Sequence, residues 1–382
     1  MIFSFWVSLG ILAASVILLL EVAWGARRIG QLKDVPARLA EQAPKVSVIV
    51  PALNEEDGIE AALLSLLKLD YPDLEIIAAD DRSTDATPAI LDRLAAAHPQ
   101  LRVLHINSLP QGWLGKNHAL WQGAQQARGD YLLFTDADVV FEVTSLARAI
   151  AYCERHRVDH LTLLFDVVAN TLLLRMLVLS FSVNFLARFK PWKVSTSPAH
   201  FIGAGGFNLV RAQAYRDAGG HAAIPLAVLD DVMLGKLLKS KGWHQHVLFG
   251  QGLVAVEWYR NTPELANGMQ KNIFAAFDYR VGKLVAVTIL MLLFRVSPWV
   301  GLFATEGAAW LCNAATVLAG LALYVDMLRA SGWGYRCLVF APFVSVIELA
   351  IWWRGSLLTL LKGSIDWRGT RYSLDALRRA QD

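Results

Sequence analysis

GDYLLFTDADVVF, residues 129–141, decides the fold. Tyr131–Thr135 is a short apolar run of the kind that makes a buried strand, and it leads directly into Asp136-Ala137-Asp138. The same arrangement occurs upstream, where apolar Leu74–Ala79 ends at Asp80-Asp81. A third pair, Asp230-Asp231, lies further on. Carboxylates that follow apolar strands project from strand ends, and open α/β sheets bind their ligands at that edge. Several carboxylates converging there repel one another unless a divalent cation or a proton compensates. The pattern points to a metal-assisted enzyme acting on a phosphorylated substrate at a membrane surface.

Working outward, strands and helices alternate. Val46–Val50 is a β-branched run ended by Pro51, and Glu55–Lys68 has helical spacing with Asn54 available as its N-cap. Asp85–Ala97 is helical, Leu101–Ile106 is a strand, and Lys116–Arg128 is a helix stopped by Gly129. Such alternation implies βαβ units and a mostly parallel sheet.

The chain has 382 residues, of which 55% are hydrophobic and 18% charged, below the roughly 25% charged content of soluble domains. The apolar excess lies at the ends. Met1–Trp24 has no charge before Glu21 and is long enough to cross a hydrocarbon core of ~30 Å. No Lys or Arg precedes it, and it is long for a signal-peptide core, so residues 1–25 are expected to be a retained anchor. Arg27, Arg28 and Lys33 follow it and place the next segment in the cytoplasm. Three further apolar runs, Leu284–Phe294, Val300–Val325 and Cys337–Leu361, fill residues 281–361, the first interrupted by Arg295 and Pro298. A basic tail, 362–382, argues for a cytoplasmic C-terminus and so for an even number of crossings after the catalytic region. Two clean spans plus one interfacial piece satisfy this, as do four crossings. Residues 172–193 read either as a core helix or as an amphipathic helix lying on the bilayer. The net charge of +3 selects no partner, and the absence of a dense basic stripe argues against nucleic-acid binding. Cys153, Cys312 and Cys337 lack metal or redox spacing.

VSVIVPALNEE (Val46–Glu56), AADDRSTDAT (Ala78–Thr87), GKNHAL (Gly115–Leu120) and GDYLLFTDADVVF together resemble the family 2 glycosyltransferases with the GT-A fold. PQGWLGKNHAL (Pro110–Leu120), the helical anchors and WRGTRY (Trp367–Tyr372) look most like the hopene-associated and carotenoid-type membrane members. The resemblance implies an α/β nucleotide-binding domain over residues 26–280, a nucleotide-sugar donor (UDP-linked), Mg²⁺ or Mn²⁺, and a membrane lipid acceptor. It puts Pro51, Asn54 and Glu55 on the donor side, and gives Asp81, with Asp80 behind it, the N3–H of uracil. A carboxylate only accepts hydrogen bonds, which suits an imide donor. Asp136 is expected near the ribose and Asp138 on the metal, with Asp136 beside it. Lys116 is expected on donor phosphate and Asn117 on base or ribose. Asp231 matches the catalytic base, with Asp230 in place of the more usual Glu. A helix N-terminus there is expected to lower the Asp231 pKa, and helix capping is the plainer alternative role for both. GAGGFNLVR (Gly203–Arg211) matches an acceptor-side loop, including Gly205 and Gly206. Trp258, Lys271 and Asn272 are further acceptor-side candidates.

His200, His221, His244 and His246 read as structural. The Gln-x-x-Arg-Trp motif of processive polysaccharide synthases is missing, since Gln270-Lys271-Asn272-Ile273-Phe274 stands in its place. That favours a single transfer over polymer synthesis. A polyprenyl-phosphate glycosyltransferase is the nearest enzymatic alternative, and a non-catalytic membrane scaffold with this fold is the alternative of another class.

Overall fold

The computed structural model describes residues 2–380, which divide into two compact units. One, residues 29–168 and 191–257, is α/β. Its strands are β1 (Gly30–Gln31), β2 (Val46–Ala52), β3 (Leu74–Asp81), β4 (Leu101–Ile106), β5 (Tyr131–Phe134), β6 (Val139–Phe141), β7 (His160–Leu164), β8 (Asp166–Val167), β9 (Asn208–Arg211), β10 (Gln245–Phe249) and β11 (Val254–Val256). Eight of them form one sheet in the order β1-β10-β7-β9-β5-β2-β3-β4. All neighbours are parallel except β9, which runs antiparallel to both β5 and β7. A small sheet, β6-β11-β8, sits after the second acidic pair.

β2 is buried at every residue and β3 at all but its first, which is why both read as unbroken apolar runs rather than alternating ones. Helices Ile59–Leu67, Thr87–Ala97 and Gly115–Gln126 make the crossovers. Ile49, Leu132 and Phe134 pack with Leu120, Val210, Leu234 and Leu238, each burial contributing about 1.5–3 kcal/mol. Gly123 lets the Gly115–Gln126 helix approach β2 closely, since a Cβ there would lie 2.6 Å from Ile49 Cγ2.

Helix starts differ from expectation. The first crossover helix begins at Ile59, not Glu55, and Asn54 does not cap it. Asn54 instead adopts φ 54°, and its Oδ1 accepts from the Thr84 N–H at 2.8 Å. A short polar side chain tolerates that left-handed conformation. The second helix begins at Thr87, with Asp85 Oδ1 accepting from its N–H at 3.0 Å.

The other unit, residues 2–28, 169–190 and 258–378, is helical. Among the described residues, five helices are long and apolar enough to cross a membrane: Ser4–Ala26, Leu172–Lys193, Val281–Ala304, Gly307–Ser331 and Tyr335–Lys362. The Leu172–Phe189 helix has no amphipathic stripe. Arg175 and Arg188 are 13 residues apart, about 220° around the helix, so they share no face. Each donates to a backbone carbonyl instead, of Ala169 and Ala276 respectively. Arg295 and Pro298 do not end the Val281–Ala304 segment. A wide π-helical turn, Leu292–Val296, absorbs the interruption, and Pro298 falls in the first turn of Ser297–Ala304, where its missing N–H is harmless. Arg295 donates to Asn184 Oδ1 and Ser180 Oγ, both at 2.7 Å, and to Tyr324.

Candidate active site

The site is built on Lys116, in the first turn of the Gly115–Gln126 helix. Its Nζ lies 2.8 Å from Asp136 Oδ1 and 3.1 Å from Asp230 Oδ1. One ammonium therefore ties the end of β5 to the start of the Asp230–Ser240 helix, 94 residues later in the chain. Burial opposes the lysine charge, but Asp136, Asp230 and Asp231 outweigh it and hold its pKa above the ordinary lysine value. In this structure the charge of Lys116, expected on donor phosphate, lies within the acidic cluster.

Asp230 and Asp231 form the first turn of their helix, and neither is its N-cap, which is Leu229. The capping role is thereby replaced by something more specific. Asp230 is buried and paired with Lys116, its carboxyl raised by burial against the pull of that cation. Asp231 keeps partial exposure, and its Oδ1 accepts from the Val232 N–H at 2.8 Å. Burial, with the charge of Asp230 added, pushes the Asp231 carboxyl up to about 7. Loss of water around the carboxylate works against the lowering expected of the helix N-terminus.

The glycine loop closes the cluster. A Cβ on Gly203 would stand 1.8 Å from the Asp231 carbonyl oxygen, and one on Gly205 would stand 2.5 Å from Asp136 Oδ2. Gly206 faces the Phe165 ring in the same way. The backbone of this loop thus lies directly against both acids. Asp136 N donates to the Gly205 carbonyl at 3.1 Å and Thr135 Oγ1 to that of Gly206 at 2.9 Å, so β5 and the loop are stitched together.

Asp80 and Asp81 separate, as adjacent strand residues must. Asp80 is buried and accepts from the Ser83 N–H and from the His105 ring, whose Nδ1 is 2.9 Å from Oδ2. That bond, with a second to Asp92, raises the His105 pKa. Asp81 faces Gly115, where a Cβ would stand 2.2 Å from its Oδ2. Arg82, at φ 63°, grips both Asp81 oxygens at 2.7 and 2.8 Å. Beside them, the Asn54–Glu56 loop is fastened to residues 83–87 through Ser83, Thr84, Asp85 and Thr87. Pro51 is buried within β2. Asn117 is fully buried, and its Nδ2 donates to the carbonyls of Ile224, Pro225 and Ala227. It pins the 224–227 loop through its amide nitrogen, while its Oδ1 is buried with no hydrogen-bond partner among the described residues.

Asp138 is exposed at the mouth of the cluster. Surrounding protein, with Asp136 and Glu55, pushes its carboxyl up to about 7, although water reaching the side chain screens part of this. Among the described residues Lys116 is set against Asp136, Asp230, Asp231 and Asp138, and Glu55 adds to the charge at Asp138, so these carboxylates outnumber that ammonium. That surplus is the chemistry of a cation site. Among the described residues no group of three or more His, Cys, Asp or Glu forms a ready-made metal cage. Mg²⁺ and Mn²⁺ need none, since they bind through one or two carboxylates plus substrate phosphate and water. Asp136 and Asp138 fit such a cation.

Trp258, Lys271 and Asn272 belong to the helical unit. Trp258 packs on Phe181 and Tyr259, and Lys271 Nζ lies 3.9 Å over the Trp367 ring of the WRGTRY hairpin. Arg82 and Gly203 were missed as site residues. Arg82 stands inside a recognised motif yet matters through its left-handed backbone, which no residue pattern announces. Gly203 was quoted in its loop, but its contact with Asp231 depends on tertiary approach alone.

The family model for glycosyl transferase family 2 matches residues 47–219, which contain β2 to β9, Lys116, the DAD pair and the glycine loop. A β-monoglucosyldiacylglycerol synthase of Synechocystis sp. is 40% identical over 111 residues, 28% of this chain and 23% of that one. The chain thus spans about a quarter of that relative's length. A 4,4′-diaponeurosporenoate glycosyltransferase of Staphylococcus aureus is 22% identical over 377 residues, 94% of this chain and 97% of that one. A mannosyltransferase from Pyrobaculum calidifontis, solved with GDP-Man and Mn²⁺, superposes with a TM-score of 0.54 at 19% identity. The superposition covers 94% of this chain and 99% of that one, and establishes a shared fold. Residues 47–219 match the glycosyl transferase family 2 model and lie on a GT-A-like α/β core with a mostly parallel sheet.

Proposed function

We propose that the protein transfers a sugar from a UDP-linked donor to the hydroxyl of a membrane lipid, with inversion at the anomeric carbon. The observation that carries this is the Lys116 bridge between Asp136 and Asp230, which gathers the DAD pair and Asp230-Asp231 into one cluster. Asp231 takes the proton of the acceptor hydroxyl. The acceptor oxygen bonds the anomeric carbon as the carbon–oxygen bond to the diphosphate breaks, and the nucleoside diphosphate leaves with the electron pair. A carboxyl near 7 suits a general base at neutral pH far better than an ordinary Asp near ~3.9. Lys116 and Asp230 keep Asp136 and Asp231 in place. Asp138, with Asp136, would hold Mg²⁺ or Mn²⁺, which when bound supplies positive charge for the departing diphosphate. Asp81, oriented by Arg82, is offered to the base, and the Gly205-Gly206 backbone to the acceptor.

Two relatives bear lipid products or substrates in their names, a glucosyldiacylglycerol and a carotenoid acid, and this supports a lipid-type acceptor, for which hopanoid, carotenoid and sphingoid molecules are our candidates. The sheet itself constrains the membrane arrangement. β9 and β10 follow the Leu172–Phe189 helix yet pair with β5 and β7, which precede it. One crossing by that helix would split the sheet across the membrane, so it enters and leaves on one side. This supports an interfacial rather than spanning segment at 172–193, a part of the helical unit, with the strands of the α/β unit all on the cytoplasmic side. The basic tail then favours Gly307–Ser331 and Tyr335–Lys362 as the two C-terminal crossings.

Incubation of the purified protein with radiolabelled UDP-sugar and host membranes, followed by identification of the labelled lipid, tests the reading. Label in a lipid, lost in chelator, supports it. Label in no lipid under any divalent cation defeats it.

A further inference from the structure

The two carboxylates that fit a divalent cation both lie under the charge of Lys116. Asp136 carries the ammonium directly, with Nζ 2.8 Å from its Oδ1. Its Oδ2 is pressed against the glycine loop, where a Cβ on Gly205 would stand 2.5 Å away. Asp138, two residues on, lies within electrostatic reach of the same ammonium. Asp230 Oδ1 also holds Lys116, at 3.1 Å, and the charge of Asp231 adds to that hold. The side chains of Lys116 and Asp230 are 23% and 8% exposed, so water and salt screen this grip little.

A cation seated on Asp136 and Asp138 therefore shares Asp136 with an ammonium. Two positive charges on one carboxylate repel, and in a poorly screened site the repulsion exceeds the ~1.4 kcal/mol that corresponds to a tenfold change in affinity. A nucleoside diphosphate changes the balance. Its oxygens ligate the cation and at the same time offset the ammonium beside it. The repulsion that opposes the cation alone no longer opposes cation and diphosphate together.

We propose that Lys116 holds Asp136 and Asp138 to low affinity for a divalent cation alone, so that cation and nucleoside diphosphate enter the site together. This rests on the reading that Asp136 and Asp138 take the cation. Lys116 acts on that cation through Asp136 and through its own charge, as a positioning residue. Whatever the diphosphate adds to cation affinity, the cation adds to diphosphate affinity, because coupled binding is reciprocal. Lys116 thereby makes each ligand a condition for the other, and a neutral side chain at this position uncouples them.

Binding of Mn²⁺ to the purified full-length protein is read by electron paramagnetic resonance of the free ion, without UDP and with saturating UDP. The binding lost in Asp138→Asn defines the site. Lys116→Gln keeps a hydrogen-bond donor for the acids and Lys116→Met does not; without UDP, each should bind Mn²⁺ at least tenfold more tightly than the parent. Lys116→Arg, which restores the charge, should bind as weakly as the parent. The factor by which UDP tightens Mn²⁺ binding should be at least tenfold smaller in Lys116→Gln than in the parent. A merely structural lysine gives the opposite sign, since loosening Asp136 weakens the cation in both neutral variants. Unchanged or weaker Mn²⁺ binding in the folded neutral variants, or tighter binding in Lys116→Arg, overturns the proposal. Mn²⁺ that binds the parent with UDP but is indifferent to the residue at 116 removes Lys116 from this role and leaves the cation reading standing. Mn²⁺ that binds under neither condition removes both.

Discussion

Lys116 in the α/β unit and Arg295 in the helical unit are each surrounded by polar partners, but the two clusters are balanced differently. Lys116 faces Asp136 and Asp230 at 2.8 and 3.1 Å, with Asp231, Asp138 and Glu55 adding further negative charge. Arg295 faces one acid, Glu348, at 3.8 Å and fills its remaining donors with neutral oxygens of Ser180, Asn184 and Tyr324. The first cluster is short of positive charge and opens to solvent at Asp138. The second is matched one to one and lies among apolar helices. A surplus of like charge is tolerated where a ligand relieves it, and a matched pair is what a dry helical packing requires.

The sharpest way to break this contrast is to remove the relief. EDTA should take glycosylation to background and Mn²⁺ or Mg²⁺ should restore it, and Asp138→Asn should lose both turnover and metal-dependent UDP binding. Full activity in chelator would show that Lys116 alone suffices for the cluster.

Next in size is Asp231→Asn. Positioned acid–base catalysis contributes ~10²–10⁴-fold, so turnover should fall at least a hundredfold while UDP affinity stays near parental. With its carboxyl near 7 and active when deprotonated, kcat/KM of the parent should fall tenfold per pH unit on the acid side and level off above. Asp231→Asn should lack that limb. Near-parental lipid glycosylation by a folded Asp231→Asn protein would move the base to Asp230.

Exchanging the two cations separates function from packing. Arg295→Met strands a buried Glu348 and should cost about 3–5 kcal/mol of stability, much of it recovered in the Arg295→Met/Glu348→Leu double variant. Lys116→Met should instead show its main effect on turnover and on the DAD pair. Equal losses of Tm in both single variants would erase the distinction.

Much of this was legible in the chain. β2, β3 and β5 are apolar runs of strand length, and the last two lead into acids, so both the parallel core and the edge that carries the site followed from pattern. β6, β8 and β11 were not seen, because two or three residues carry no period. The antiparallel β9 was hidden for a different reason: Asn208–Arg211 pairs with strands far away in sequence. Asn54 was misassigned because its residue type suits both an N-cap and a left-handed turn, and only the loop at residues 83–87 decides between them. Spacing could suggest that Asp230-Asp231 meets the DAD pair, but only the fold shows Lys116 between them. The Arg295–Glu348 pair was hidden because the two residues lie in separate apolar runs and meet only through the packing of their helices.

The smallest effect tests where acid sensitivity resides. All nine histidines lie in the α/β unit and none in the helical one. His160 is fully buried in β7, bonded to Asn208 and Gln245, and burial brings its pKa down to about 4. In the unfolded chain it titrates near ~6.5. Between those values the unfolded state holds a proton that the folded state refuses. His160 therefore lowers stability as pH falls through that window, by about 1.4 kcal/mol per unit, and contributes nothing of this kind above it. Asp231 and Asp138, with raised carboxyls, act in the opposite direction over much of the same range, so the parent's total slope hides the histidine. A difference measurement isolates it. His160→Gln cannot take up the proton, so its stability relative to the parent should rise by about that amount per pH unit from 6.5 toward 4. Hydrogen exchange read separately for β7 and for the Gly307–Ser331 helix should show the change in the strand and not in the helix. A constant difference between the two proteins across that window would mean that His160 is protonated inside the sheet.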